Sequence, residues 1–202
     1  MRLPREFYDR DALSVARELL GKVLVHEIDG QKLAMRIVET EAYVGKEDKA
    51  AHFHGGRRTS RLEVIYGAPG FSYVFLVYGM HHCFNVVTSG KDDPQAVLVR
   101  AGQPVLGLEA MAQRRYTKTF GELTGKQIIG LTNGPGKLCQ ALDIDRSLNG
   151  ADLCGEGLYL EEGEGVDFRI ITTKRVGIDY AEEAKDFPLR FYSEGNAYVS
   201  VK

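Results

Sequence analysis

The sequence predicts a single α+β domain, and three observations carry that expectation. Residues 23–43 and 71–88 each read as two runs rich in β-branched and aromatic residues broken by a tight turn, the pattern of an antiparallel hairpin. Ala12, Leu13, Ala16, Leu19 and Leu20 recur at helical spacing. A chain of 202 residues with 44% hydrophobic content can bury one sizeable core, and no repeat, low-complexity tract or linker divides it.

In chain order, the first helix starts after Asp9 or Asp11, either of which suits an N-cap, and Gly21 stops it. Residues 23–28, the turn Asp29-Gly30 and the run from Leu33 onward form the first hairpin, whose second strand includes residues 35–43. Alternation along that strand places Ile37, Glu39, Glu41 and Tyr43 on one side and Val38, Thr40 and Ala42 on the other. Two carboxylates and a phenol then share a surface. The periodicity-free segment 44–61 follows, carrying His52 and His54 back toward Glu41 and ending in a flexible basic loop, GGRRTSR (55–61). The most apolar run, 71–88, divides at Tyr78-Gly79, and a ring at a hairpin tip has few core atoms to meet, so Tyr78 is expected to project outward.

Residues 96–101 predict a short strand ending near Arg100, and 106–115 a helix whose last turn places Arg114 and Arg115 at the negative end of its dipole. Residues 116–130 are polar and read as a loose connection. Pro135 suits the first turn of a helix that buries Leu138 and Leu142, and the exposed N–H groups at its start, beside Lys137, offer a place for one phosphate. Short strands at 168–172 and 189–192 complete the order.

Several classes are disfavoured. No stretch has the apolar length of a membrane span and the N-terminus lacks an apolar signal core, which points to a cytoplasmic protein that does not engage membranes. Cys83, Cys139 and Cys154 are odd in number and lack C-x-x-C spacing, so they read as reduced, buried thiols, neither a disulfide framework nor a zinc site. A formal net charge of -2 gives no global basic signature, so any grip on nucleic acid needs a local basic face.

Five fragments, VETEAY (38–43), AAH (50–52), YVFLVYGMHHCFNVVT (73–88), VLVRA (97–101) and NGPGKLCQAL (133–142), taken in their order and spacing, resemble the 3-methyladenine (alkyladenine) DNA glycosylase family. The likeness runs over almost the whole chain, with further echoes in RVGI (175–178) and PLRFY (188–192). It implies a curved, mostly antiparallel sheet with a protruding β-hairpin and surrounding helices. It also implies a base-excision repair enzyme that flips alkylated or deaminated purines out of duplex DNA and hydrolyses the N-glycosidic bond. The substrates so implied are 3-methyladenine, hypoxanthine and ethenoadenine.

The resemblance assigns roles residue by residue. Glu41 matches the base that activates water and Arg100 a residue that positions that water and the carboxylate. Tyr43 and His52 match the walls that sandwich the flipped base, and Phe75 stands where relatives often carry tyrosine. Asn85 matches a side chain that crowds the 2-amino group of guanine, and Tyr78 the intercalating wedge. Arg57, Arg58 and Lys137 are expected to hold phosphates, while Glu39 falls to a supporting role. No lysine nucleophile accompanies these residues, which implies a monofunctional enzyme that leaves an abasic site. The expected partner is double-stranded DNA with damaged purines, bound by a monomer that associates with the nucleoid; no metal or organic cofactor is implied. Two alternatives are a catalytically silent reader of damaged DNA and a metal-dependent hydrolase built on Glu41, His52, His54, His81 and His82, histidines that lack a recognised ligand spacing.

Overall fold

In the computed structural model, which describes residues 1–165 and 167–201, the chain opens with α1 (Arg5–Tyr8), α2 (Ala12–Glu18), β1 (Val23–Ile28) and β2 (Gln31–Tyr43). It continues through β3 (Ser72–Val77), β4 (His81–Thr88), β5 (Gln95–Leu106), α3 (Leu108–Tyr116), α4 (Gly125–Ile129) and α5 (Pro135–Ala141). The last strands are β6 (Leu158–Glu161), β7 (Ile170–Thr173) and β8 (Arg190–Ser193). All strand pairs are antiparallel, in the order β3-β4-β5-β2-β1-β6, with β8 added to β2 and β7 to β8. The α+β expectation holds.

The long strand β2 is the axis of this sheet. It pairs with β1 through its first half and with β5 from Ala34↔Leu106 to Tyr43↔Ala96, and β8 joins it at Glu39, Thr40 and Glu41. The β2–β5 register shifts on both sides of Glu39, and this bulge corrects the simple alternation read from sequence. Ile37 lies in the main core together with Ala42, whereas Val38 packs with Ala101 and Val199. Glu39, Glu41 and Tyr43 are thereby aimed away from that core by a backbone irregularity that residue spacing does not announce.

The main core lies between the sheet and the helices, where Leu24, Met35, Phe84 and Val99 meet Val15, Met111 and Leu138. Asp11 caps α2 by accepting from Ser14 N–H at 2.9 Å, which settles the choice between Asp9 and Asp11. Leu106 remains in β5, so the following helix starts later than its periodicity suggests. The intervening Gly107 takes φ 79°, and a Cβ there would lie 2.5 Å from the Leu33 side chain. Residues 116–130 are less loose than their polarity implies, because Thr119 with Glu122 and Thr124 with Gln127 form capping boxes, the second of which starts α4. The segment between β2 and β3 also has a core of its own, with Phe53, Leu62, Ile65 and Tyr66 buried against Tyr73 and Val87. Cys83 and Cys139 are buried and Cys154 is half-buried, and all are free thiols.

Behind β2, Glu39 has no exposed surface and gathers two arginines. Its Oε1 accepts from Arg100 Nε at 2.9 Å and Arg190 Nε at 2.7 Å, and from Ser200 Oγ at 2.9 Å, while Oε2 accepts from Ser200 N–H at 2.6 Å. Arg190 also donates to the Val201 carbonyl. One carboxylate therefore joins β2, β5, β8 and the C-terminal segment. Glu39→Ala is expected to lower unfolding free energy by about 3–5 kcal/mol, since it leaves the buried Arg190 guanidinium without a carboxylate and Arg100 with Glu41 alone. Urea denaturation measures this, and a loss below about 1 kcal/mol would show that the arginines find other partners.

Candidate active site

The strands around β2 enclose a cavity of about 510 Å³ whose lining includes Tyr43, His52, Tyr73, Phe75, Asn85 and Arg100. Tyr43 comes from the end of β2, Phe75 from β3, Asn85 from β4 and Arg100 from β5, so the sheet order itself brings these distant residues together. His52 comes from the segment after β2, anchored through buried Ala51 and Phe53 on either side of it. The volume suits a small-molecule site of aromatic character with few polar groups.

Glu41 lies behind this lining with no exposed surface. Its Oε1 accepts from Val176 N–H at 2.8 Å and sits 3.2 Å from Arg100 Nη1, and its Oε2 accepts from the Tyr43 hydroxyl at 3.1 Å. Burial pushes its carboxyl above the usual glutamate range, opposed by Arg100, the Val176 N–H and the Tyr43 hydroxyl. A raised affinity for protons makes the carboxylate a better base, and the neighbouring guanidinium sustains its charge. The same burial, with the charge of Glu41 alongside, drives the Tyr43 hydroxyl well above its ordinary pKa, so it remains a donor.

The aromatic side is held by local contacts. The His52 ring packs edge-on to Phe75 with centroids 4.5 Å apart, and Tyr73 stacks on Phe75 at 5.1 Å. The Tyr73 hydroxyl lies 2.9 Å from His52 Nδ1. Burial, reinforced by Arg61 and Arg57, depresses the His52 pKa to about 4, which leaves the ring neutral at neutral pH. Asn85 Nδ2 donates to the Tyr73 carbonyl at 3.1 Å, fixing the amide in the wall.

At the rim, Tyr78 is 86% exposed at the tip of the β3–β4 hairpin and Met80 is 70% exposed beside it. Tyr78 and Gly79 take φ 51° and 71°, and Met80 N–H closes the turn on the Val77 carbonyl at 3.2 Å. Positive φ is unfavourable for tyrosine by about 1–2 kcal/mol, so the tip holds a ring in solvent at a cost to stability. Among the basic residues, Arg57 and Arg61 make no ion pair among the described residues, and Arg61 lines the cavity. Arg58 is engaged by Glu63 and Asp92. Lys137 donates to Asn133 Oδ1 at 2.9 Å, its side chain lying beside Gly134 at the start of α5.

Residues without an assigned role from sequence also take part. The 175–178 segment supplies the Val176 N–H to Glu41, and Arg175 places its guanidinium 4.8 Å from the Tyr43 ring centre. Tyr73 reaches His52 through its hydroxyl. The only sequence signal for the first group was the RVGI fragment itself. Among the described residues, no three His, Cys, Asp or Glu side chains are grouped closely enough to share a metal ion, so His52, His54, His81 and His82 do not assemble a ligand set with Glu41.

Residues 6–197 match the family model for methylpurine-DNA glycosylase. A Desulfitobacterium hafniense protein described as "Putative 3-methyladenine DNA glycosylase" is 68% identical, covering 100% of this chain and 99% of its own length. Proteins of Alkaliphilus oremlandii and Clostridium acetobutylicum with the same description are each 54% identical over 100% of this chain, and over 100% and 98% of their own lengths.

The protonation of His52 is open to direct measurement. Because its pKa is depressed, the neutral ring persists until the pH falls through about 4, and an NMR titration of the imidazole should show that midpoint. A midpoint near the ordinary value of about 6.5 would show that water reaches the ring freely.

Proposed function

We propose, starting from the fact that this chain belongs to the methylpurine-DNA glycosylase family, that residues 1–202 act as one DNA glycosylase domain that releases 3-methyladenine, and also hypoxanthine and ethenoadenine, from duplex DNA. The observation that carries this reading is the fully buried Glu41, held by Arg100, Tyr43 and the Val176 N–H behind an aromatic cavity. In the proposed reaction, the damaged nucleotide leaves the stack and its base enters the cavity between Tyr43 and His52, against Phe75. Flipping costs about a few kcal/mol, least where pairing is already damaged. Tyr78 fills the gap in the duplex, for which an exposed ring on a tight hairpin is suited.

Water then attacks C1′ of the flipped nucleotide. A new C–O bond forms at C1′, the C1′–N bond breaks with its electron pair leaving on the base, and Glu41 takes the proton from water. A purine alkylated as in 3-methyladenine is positively charged in the nucleotide, so it departs neutral, and its stacking on electron-rich rings adds about 0.5–2 kcal/mol relative to a neutral base. The Tyr43 hydroxyl donates to Glu41 Oε2, and this hydrogen bond yields when the attacking water engages that oxygen. Asn85, fixed by the Tyr73 carbonyl, crowds the 2-amino group of guanine and so disfavours that normal purine. Arg57 and Arg61 supply phosphate contacts, joined by Lys137 and by Arg58 if it releases Glu63.

The products are a free base and an abasic site, with the strand intact. The proposed enzyme works as a monomer in the cytoplasm, on the nucleoid. No helix among the described residues is long and apolar enough to cross a membrane.

Glu41→Gln should reduce base release at least about 100-fold while binding to lesion duplex survives. A single-turnover assay with alkaline cleavage of abasic sites reads this, and unchanged release would remove Glu41 from the mechanism. The base must be ionised, so in wild type the rate falls as pH drops through the raised Glu41 pKa. The acid limb of kcat/KM is therefore expected above about pH 4.3, the ordinary glutamate value. Tyr78→Ala should weaken turnover of duplex substrate more than of single-stranded substrate, and equal effects would sink its role as a wedge.

A further inference from the structure

Asp48 and Arg175 form an ion pair in which neither side chain has any exposed surface. The contact is bidentate, with Arg175 Nη1 2.5 Å from Asp48 Oδ2 and Nη2 2.8 Å from Oδ1. Arg175 also donates to the carbonyls of Ala42 at 3.0 Å and Ala184 at 3.2 Å, and Asp48 accepts from the N–H groups of Val44 at 3.2 Å and Ala50 at 3.0 Å. These contacts offset the desolvation of two buried charges, a burial that apolar residues of similar size would avoid altogether. Its position supplies a reason. Tyr43 lines the cavity and Arg175 does not, so the guanidinium lies behind the ring, 4.8 Å from its centre.

A bare cation there would oppose a second cation stacked on the front of the same ring. The attraction of a ring for a cationic base comes from its negative face, and like charges separated by one aromatic layer repel through a medium of low dielectric. We propose that Asp48 neutralises Arg175 behind Tyr43 so that the cavity accepts positively charged purines, and that this pair sets the preference for cationic over neutral damaged bases. The proposal rests on the reading of Tyr43 as a stacking wall. The wider balance agrees with it: around Tyr43, the buried carboxylates Glu39, Glu41 and Asp48 are matched by Arg100, Arg175 and Arg190. Asp48 and Arg175 act through the ring and are positioning residues.

The test compares kcat/KM on duplexes carrying 3-methyladenine, cationic as its nucleoside, with those carrying hypoxanthine, which is neutral. Asp48→Asn keeps the shape and uncovers the Arg175 charge, and the ratio of the two values is expected to fall about tenfold. Adding Arg175→Gln removes that charge and should return the ratio to within about threefold of wild type, even though both absolute rates are lower. A folded Asp48→Asn protein that loses both activities equally would overturn the proposal and leave the pair a purely structural tie. If Asp48→Asn does not fold, Arg175→Gln alone serves, since it leaves the opposite charge behind the ring and should raise the ratio; an unchanged or lowered ratio overturns the proposal. Tyr43→Ala separates the underlying reading, because untouched rates on both lesions would reject Tyr43 as a stacking wall and this proposal with it.

Discussion

The arrangement of this protein depends on the burial of charge around one strand. Glu39, Glu41 and Asp48 lie without exposed surface beside Arg100, Arg175 and Arg190, and each charge is tolerable only because another group neutralises it in fixed geometry. That requirement propagates outward. Glu39 holds Arg100 through Nε, which leaves Arg100 Nη1 directed at Glu41. Arg190 and the 199–201 segment are drawn in by the same carboxylate, so strand β8 and the C-terminal residues complete a site to which they contribute no cavity-lining side chain. Desolvation then gives Glu41 its chemical character, since removal from water makes a carboxylate hold a proton more tightly.

Two kinds of material surround the cavity, and they do different work. The charged network is rigid, because moving any member exposes an unpaired ion to a medium that cannot solvate it. The aromatic wall of His52, Tyr73 and Phe75 is held by ring contacts and one hydrogen bond, interactions that survive small displacements. A floor that resists motion beneath a wall that adapts is suited to a site where an entering planar group must be accommodated while a polar group behind it stays in register. The neutrality of His52 belongs to this division, since a charged imidazole in the wall would add a cation where the floor is already balanced.

Much of this was legible in the residues. The two hairpins, the capped N-terminal helix and the helix beginning at Pro135 followed from turn residues, caps and apolar spacing, all of which act over a few positions. The convergence of Tyr43, His52, Phe75, Asn85 and Arg100 on one cavity followed from family likeness, because chain separation gives no local signal of contact. The bulge at Glu39 was hidden because it depends on how β5 pairs with β2, a long-range register that period-2 alternation assumes to be continuous. The roles of Arg175 and the Val176 N–H were hidden for a related reason. An arginine's partners are set by tertiary packing, and a backbone N–H leaves no trace in residue identity. Arg58 shows the converse, a basic residue that reads as free in a loop sequence and is paired with Glu63 and Asp92 in the fold.

The bulge is also what makes the site possible. Had the alternation of β2 continued without interruption, Ile37 would share a face with Glu39 and Glu41, and one of two outcomes would follow. Either the carboxylates would point into the apolar core with Ile37, or Ile37 would leave it. The first strands two charges among Leu and Val side chains, and the second opens a cavity in the main core; each costs several kcal/mol. The register shifts around Glu39 let Ile37 and Ala42 serve the core while Glu39 and Glu41 face the arginines. The same strand thereby supports the main core through some of its side chains and the buried charge network behind the cavity through others. Relocating the bulge by one residue would be more damaging than removing any single side chain the cavity displays.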